Sequence, residues 1–167
     1  MRRPWYSLHP RGDDMTRLTR ALALAGISMV LLPATIGSQG QLNPKAVEFI
    51  KAADIKWVRN AAGTQETATL FGDPTKPGMY VQRLRWLPGN MSRPHFHPND
   101  RFFVVIEGTW WLGSGEKYEP NSTVGVPAGT FVVHHAGEIH YDGAKDAPVV
   151  IQVMGMGPNT STPAEKK

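Results

Sequence analysis

The chain has 167 residues, 18 Lys+Arg against 14 Asp+Glu for a net charge of +4, and no cysteine. Without cysteine there is no disulfide, thiolate metal site, iron–sulfur cluster, cysteine nucleophile or lipid-bearing cysteine. Hydrophobic residues at 41% and charged residues at 19% describe a chain that folds and is long enough to bury one core.

The charge is unevenly placed. Residues 1–20 carry Arg2, Arg3, Arg11, Arg17 and Arg20 against Asp13 and Asp14, a net +3, so the other 147 residues sum to +1. The body therefore has no basic face to follow a phosphate backbone, and nucleic acid is not an expected partner. Residues 21–32 are twelve apolar or small residues in a row. A stable membrane span takes roughly 20. The basic front, the short apolar middle and the small residues Ala34, Gly37, Ser38 and Gly40 predict a secretory signal peptide over 1–40, cleaved after Gly40. Met15 offers a second start with a compact basic front, which would make 1–14 an over-extended beginning. The expected location is periplasmic or secreted.

Asn43-Pro44 can cap a helix, and Val47, Ile50 and Ala53 recur at helical spacing, predicting a short helical lead-in over 41–57. After Trp57 the pattern changes to short runs rich in β-branched and aromatic residues. Strands are predicted at 68–71, 79–87, 101–106, 109–112, 123–126, 131–135, 139–141 and 149–154. Turns at Asp73-Pro74, Pro88-Gly89, Glu107-Gly108, Pro127-Ala128-Gly129 and Asp142-Gly143 separate them. Short strands at about ten-residue spacing predict an all-β sandwich or barrel over 58–158. The polar tail 159–167 is expected to fray.

Five of the six histidines lie between His95 and His140. His95 and His97 are two apart, so on a strand both face the same side. Neutral imidazole is the commonest protein metal ligand, and two on one face need a third from a neighbouring strand. His140 and the His134-His135 pair are the candidates, with His134 and His135 pointing oppositely if extended. The plain alternative is a set of hydrogen-bonded barrel histidines.

Over 89–108, Gly89, His95, His97 and Gly108 stand at the spacing of the first cupin motif, which the segment resembles. Over 129–140, Gly129, Gly137 and His140 resemble the second motif, with His135 where proline is usual. The resemblance extends over about residues 68–156. It implies a double-stranded β-helix (jelly-roll barrel), here with the short N-terminal helix. It also implies one divalent transition metal (iron, manganese, zinc, nickel or copper) held by His95, His97 and His140. The main departure is Arg101, at the position of the family's glutamate ligand. Arginine cannot ligate a cation. Asp100 is next to it but out of register by one, so a bulge would be needed to turn it inward.

Three arrangements follow. A three-histidine site resembles the three-histidine dioxygenases of the superfamily, with Arg101 receiving an anionic substrate. Alternatively His134 or His135 supplies a fourth ligand, or the pocket holds no metal. Residues 95–113 and 133–145 also resemble a subgroup of small secreted bacterial cupins with an arginine after the Asn-Asp pair and a double tryptophan. That likeness implies no particular reaction.

Tyr80, Gln82 and Trp86 share one face of a strand and Arg83 and Arg85 the other, making Tyr80 and Gln82 candidate polar groups of the pocket. Trp110 and Trp111 should face opposite sides, one filling the barrel and one covering its outside or a homodimer surface. Met154 and Met156 read as barrel filling. The expected function is a metal-dependent cupin acting on a small organic molecule, dioxygenase-like or lyase/isomerase-like. Arg101 would stabilise negative charge, and His134 or His135 would move a proton. The alternative is a non-catalytic binding or sensing module.

Overall fold

Alternation of side chains sets the architecture. In β5 (Arg101–Glu107), Arg101, Phe103 and Val105 are buried while Phe102 is exposed. In β10 (Val149–Gly157), Val149, Ile151 and Val153 point inward in the same way. A period of two with one apolar face makes a sheet that must cover that face. The computed structural model describes residues 40–166, of which those from Leu42 onward form one compact unit.

Two antiparallel sheets enclose the core. The six-stranded sheet runs β1 (Val58–Arg59), β2 (Gln65–Phe71), β3 (Gly78–Trp86), β10, β5 and β8 (Phe131–His134). The five-stranded sheet runs β11 (Thr162–Pro163), β4 (His95–Phe96), β9 (His140–Gly143), β6 (Thr109–Ser114) and β7 (Val124–Pro127). Between them lie Tyr80, Trp86, Phe103, Val105, Trp110, Val149, Ile151 and Val153. Fully burying an aliphatic or aromatic side chain of this kind contributes about 1.5–3 kcal/mol, so this layer outweighs any surface interaction in the molecule. This is the double-stranded β-helix expected for the chain.

All eight predicted strands are present, with ends displaced by three residues or fewer. Trp110 is fully buried, whereas Trp111 lies on the opposite face, where Lys145 Nζ sits 3.8 Å from its ring centroid. Several expectations need correction. The helical lead-in is a turn at 44–46 and a single 3₁₀ turn, Ala52–Asp54, with Val47 and Ile50 exposed. A short helix whose apolar stripe meets no partner has little to stabilise it. Met154 and Met156 do not fill the barrel: they face outward on β10, opposite Phe102 and Met79 respectively. Asp142-Gly143 is not a turn but the second half of β9. The 159–167 tail is not frayed over its described part, since Thr162 and Pro163 pair with Phe96 and His95. The predicted signal peptide lies outside the described residues, apart from Gly40.

The role of Gly143 is close approach. It pairs with Trp111 and bridges Met91, and a Cβ there would lie 2.2 Å from the Asn90 carbonyl oxygen and 2.5 Å from Met91 Cα. That contact lets the 89–92 loop lace onto the end of β9. Ser92 N donates to Asp142 O at 2.8 Å and Ala144 N to Asn90 O at 2.8 Å. The loop that leads into His95 is thereby held against the strand that carries His140. Gly143→Ala should therefore lower the unfolding free energy by about 3 kcal/mol through overpacking against backbone, read as a reduced denaturation midpoint at unchanged slope.

Candidate metal centre

β4 and β9 meet at one register point, His95 opposite His140. His97 follows just beyond β4. The three rings form a triangle with centroid separations of 4.9 Å (His95–His97), 4.6 Å (His95–His140) and 5.5 Å (His97–His140). One ring nitrogen from each lies within 4.8 Å of the others, so the three could hold a metal ion.

Their hydrogen bonds fix which nitrogen is free. His95 Nδ1 donates to the Arg93 carbonyl at 2.7 Å, His97 Nδ1 to that of Thr160 at 2.6 Å and His140 Nδ1 to that of Glu138 at 3.0 Å. A carbonyl can only accept, so each proton sits on Nδ1 and each Nε2 keeps its lone pair. His97 Nε2 is buried with no hydrogen-bond partner. A buried acceptor left unsatisfied is costly, and a cation would satisfy it. Burial, with Arg101 next in weight, pushes His97 down to about 3. Burial likewise lowers His140 to about 4. Both imidazoles are therefore neutral at pH 7, the form that ligates. The donor set fits a divalent transition metal.

Arg101 opens β5 and faces inward, paired with His134 on β8. It is only 7% exposed. Its Nη2 lies 3.2 Å from His140 Nε2 and 3.4 Å from His134 Nδ1. Since guanidinium only donates, His140 Nε2 and His134 Nδ1 both accept, which places the His134 proton on Nε2. Arg101 Nε is buried without a hydrogen-bond partner of good geometry, and the Tyr80 hydroxyl lies beside the guanidinium and helps to keep it charged. Among the described residues no carboxylate forms an ion pair with Arg101. Burial lowers its pKa, opposed first by the charge of Asp142.

His134 lies against His140 at 3.9 Å between centroids and against Phe103 and Trp110 at 4.7 and 5.3 Å. Burial pushes it down to about 2. His135 and Asp100 are not in the site. Their side chains are 71% and 48% exposed, 3.9 Å apart, and Asp100 Oδ1 accepts from Ala136 N at 2.7 Å. The β5–β8 register is regular there, so no bulge turns Asp100 inward. Gln82 does face the cavity and donates to Thr69 Oγ1 at 3.2 Å. Tyr80 is fully buried.

Beside the histidines opens a cavity of about 420 Å³, bordered by His95, His97, Arg101, Gln82, Trp86 and Asp142. That is room for a small organic molecule. Asp142 was absent from the sequence-based candidates. It is 6% exposed, and burial raises its pKa against the pull of His95 and Arg101. The available signal was its spacing: two residues after His140, it shares that residue's face of β9. Asn159 and Ser161 also border the cavity and were missed, being assigned to the tail.

No protein-family model matches the sequence, and no curated protein matches it. Solved structures do match. The polyketide cyclase RemF from Streptomyces resistomycificus is 18% identical with a TM-score of 0.59, covering 72% of this chain and 87% of its own. A sugar phosphate isomerase of the cupin superfamily from Silicibacter pomeroyi is 20% identical with a TM-score of 0.56, covering 71% and 83%. A double-stranded β-helix protein from Klebsiella pneumoniae is 20% identical with a TM-score of 0.52, covering 65% and 91%. The fold is thus that of the cupin-type proteins.

The position of Arg101 yields a direct test. Arg101→Glu removes a cation next to the ligands and supplies a carboxylate, so metal affinity should rise by about tenfold or more. A competition titration against a chelating dye reads this, and an unchanged Kd would place the guanidinium away from the bound ion.

Proposed function

We propose that the chain is an exported, metal-dependent cupin acting on a small organic anion, with His95, His97 and His140 as ligands and Arg101 standing in place of the family's glutamate. One observation carries the reading. Three imidazoles pinned through Nδ1 turn unprotonated Nε2 atoms toward one another, beside a buried guanidinium that touches one of them and has no ion-pair partner among the described residues. A buried unpaired cation costs several kcal/mol, a cost that an anionic ligand would offset. The cyclase and isomerase names of the similar structures support chemistry on a small molecule. The signal-like pattern of 1–40 supports export.

A bound divalent ion supplies Lewis acidity, or a redox couple for dioxygenase-like chemistry. The protein does the rest. Arg101 receives the anionic group and stabilises negative charge that grows during the reaction. Trp86 and Gln82 flank the cavity and orient the ligand. His134, kept neutral by burial, accepts from Arg101 through Nδ1 and so helps to hold the guanidinium in place. Lyase, isomerase and oxygenase outcomes share this apparatus. The alternative, a binding or sensing module without metal, draws on the Arg101 contact with the His140 lone pair, which a cation would otherwise take.

Elemental analysis of protein from the exported fraction, beside the His95→Ala/His97→Ala variant, separates the two. About one equivalent of metal in the native chain and almost none in the variant is expected. Equal content in both would sink the metal reading and leave the binding module. With metal present, oxygen uptake and product formation are followed over a panel of carboxylates and diketones. Arg101→Gln should then raise KM for carboxylates by about 10–100-fold, the value of a charge-assisted hydrogen bond.

A further inference from the structure

We propose that residues 159–166 form a strap that positions two of the three histidines, so that Thr160 and Glu165 act as positioning residues for the metal centre. The inference rests on the metal reading above. His97 lies beyond the end of β4, so no sheet pairing fixes its ring. Among the described residues, the one hydrogen-bond partner of that ring is the Thr160 carbonyl, at 2.6 Å. The backbone of the strap also pairs with the strand of His95: Pro163 stands opposite His95, and Ala164 N donates to Pro94 O at 2.9 Å.

The strap is tied down at both ends. Asn159 N donates to Pro74 O at 2.6 Å and Lys166 N to Glu116 O at 3.0 Å. Arg93 Nε donates to Glu165 Oε2 at 2.8 Å, and Arg93 Nη2 makes a second contact with Glu165 Oε1. Arg93 is the link between strap and ligands, because its carbonyl is the acceptor for His95 Nδ1. Its guanidinium is also stacked over Tyr118, 3.9 Å from the ring centroid. Tail, Arg93 and His95 thus form one connected unit, with His97 joined through Thr160.

None of residues 159–166 is buried, so the strap adds nothing to the core between the sheets. Its effect should fall on the histidines. With the Thr160 carbonyl gone, the His97 ring is free to rotate and to place its proton on either nitrogen. Losing such an outer hydrogen bond typically weakens metal binding about 10–100-fold.

The test uses cobalt(II) as probe with three proteins: the full chain, a chain ending at Pro158, and full-length Glu165→Ala. Cobalt affinity, the visible absorption of the bound ion and the thermal midpoint of the metal-free protein are measured for each. The shortened chain should bind cobalt about 10–100-fold more weakly, with an altered band. Its metal-free midpoint should move little. Glu165→Ala should give an intermediate loss and Glu165→Asp should restore it, which also covers a shortened chain that does not fold. Native affinity and spectrum in both the shortened chain and Glu165→Ala overturn the strap while leaving the metal reading intact. Failure of the full chain to bind cobalt overturns the metal reading itself.

Discussion

The hydrogen bonds from three imidazole Nδ1 atoms to the carbonyls of Arg93, Glu138 and Thr160 connect the fold to its site, because each acceptor belongs to a different part of the chain. Arg93 belongs to the loop that docks on Gly143, Glu138 to the turn before β9, and Thr160 to the strap. Main-chain carbonyls cannot titrate and move only with the backbone. The tautomer of every ligand is therefore as firm as the segment behind it. A side-chain acceptor would bring rotamer freedom, and a carboxylate would add charge. Three neutral backbone acceptors give the imidazoles no charged hydrogen-bond partner, so the charge of the centre is set by the side chains around it.

That charge is Arg101, and it has the wrong sign for a metal ligand. The guanidinium is held inside by two imidazole acceptors and by the face of Phe103, 5.1 Å from the ring centroid. Asp142 contributes at longer range. Neutral acceptors only partly offset the desolvation of a cation. The charge-bearing groups inside are thus one cation, Arg101, and one buried carboxyl group, Asp142. On the proposed function, this guanidinium is the group that would draw an anionic ligand into the cavity. Asp142 opposes this, being the charge that most supports the guanidinium against its desolvation.

How much of this was legible in the sequence follows from what each feature depends on. Strands such as β5 and β10 carry their own alternation, so Phe103, Val105, Ile151 and Val153 declare their side. The His95–His97 spacing and the recurrence of His140 made the ligand group visible, and Arg101 stood out against the cupin pattern. Asp142 was lost because Asp-Gly reads as a turn, whereas Gly143 serves the close approach of Met91. The strap was lost for a different reason. Its contacts are main-chain hydrogen bonds made by polar residues, and backbone pairing of a two-residue strand leaves no periodic trace. For the same reason no residue type marked Arg93, Glu138 or Thr160 as acceptors for the ligands.

The choice between Arg101 and Asp100 shows how finely register controls chemistry in such a barrel. Adjacent residues on a strand face opposite sides, and a slip by one would exchange them. With Asp100 inside, the centre would regain a carboxylate and resemble the usual cupin ligand set. The β5–β8 pairing prevents this: Arg101 is opposite His134 and Phe103 opposite Val132, with Phe103 packed in the core. Turning Asp100 inward would carry Phe103 and Val105 to the surface and Phe102 and Val104 into the core. Asp100 is held outside as well, since its carboxylate caps the Ala136 amide. The cation therefore occupies the site with the full stability of the sheet behind it. A single-residue bulge could not restore the acid without breaking that cap and the first pairs of β5.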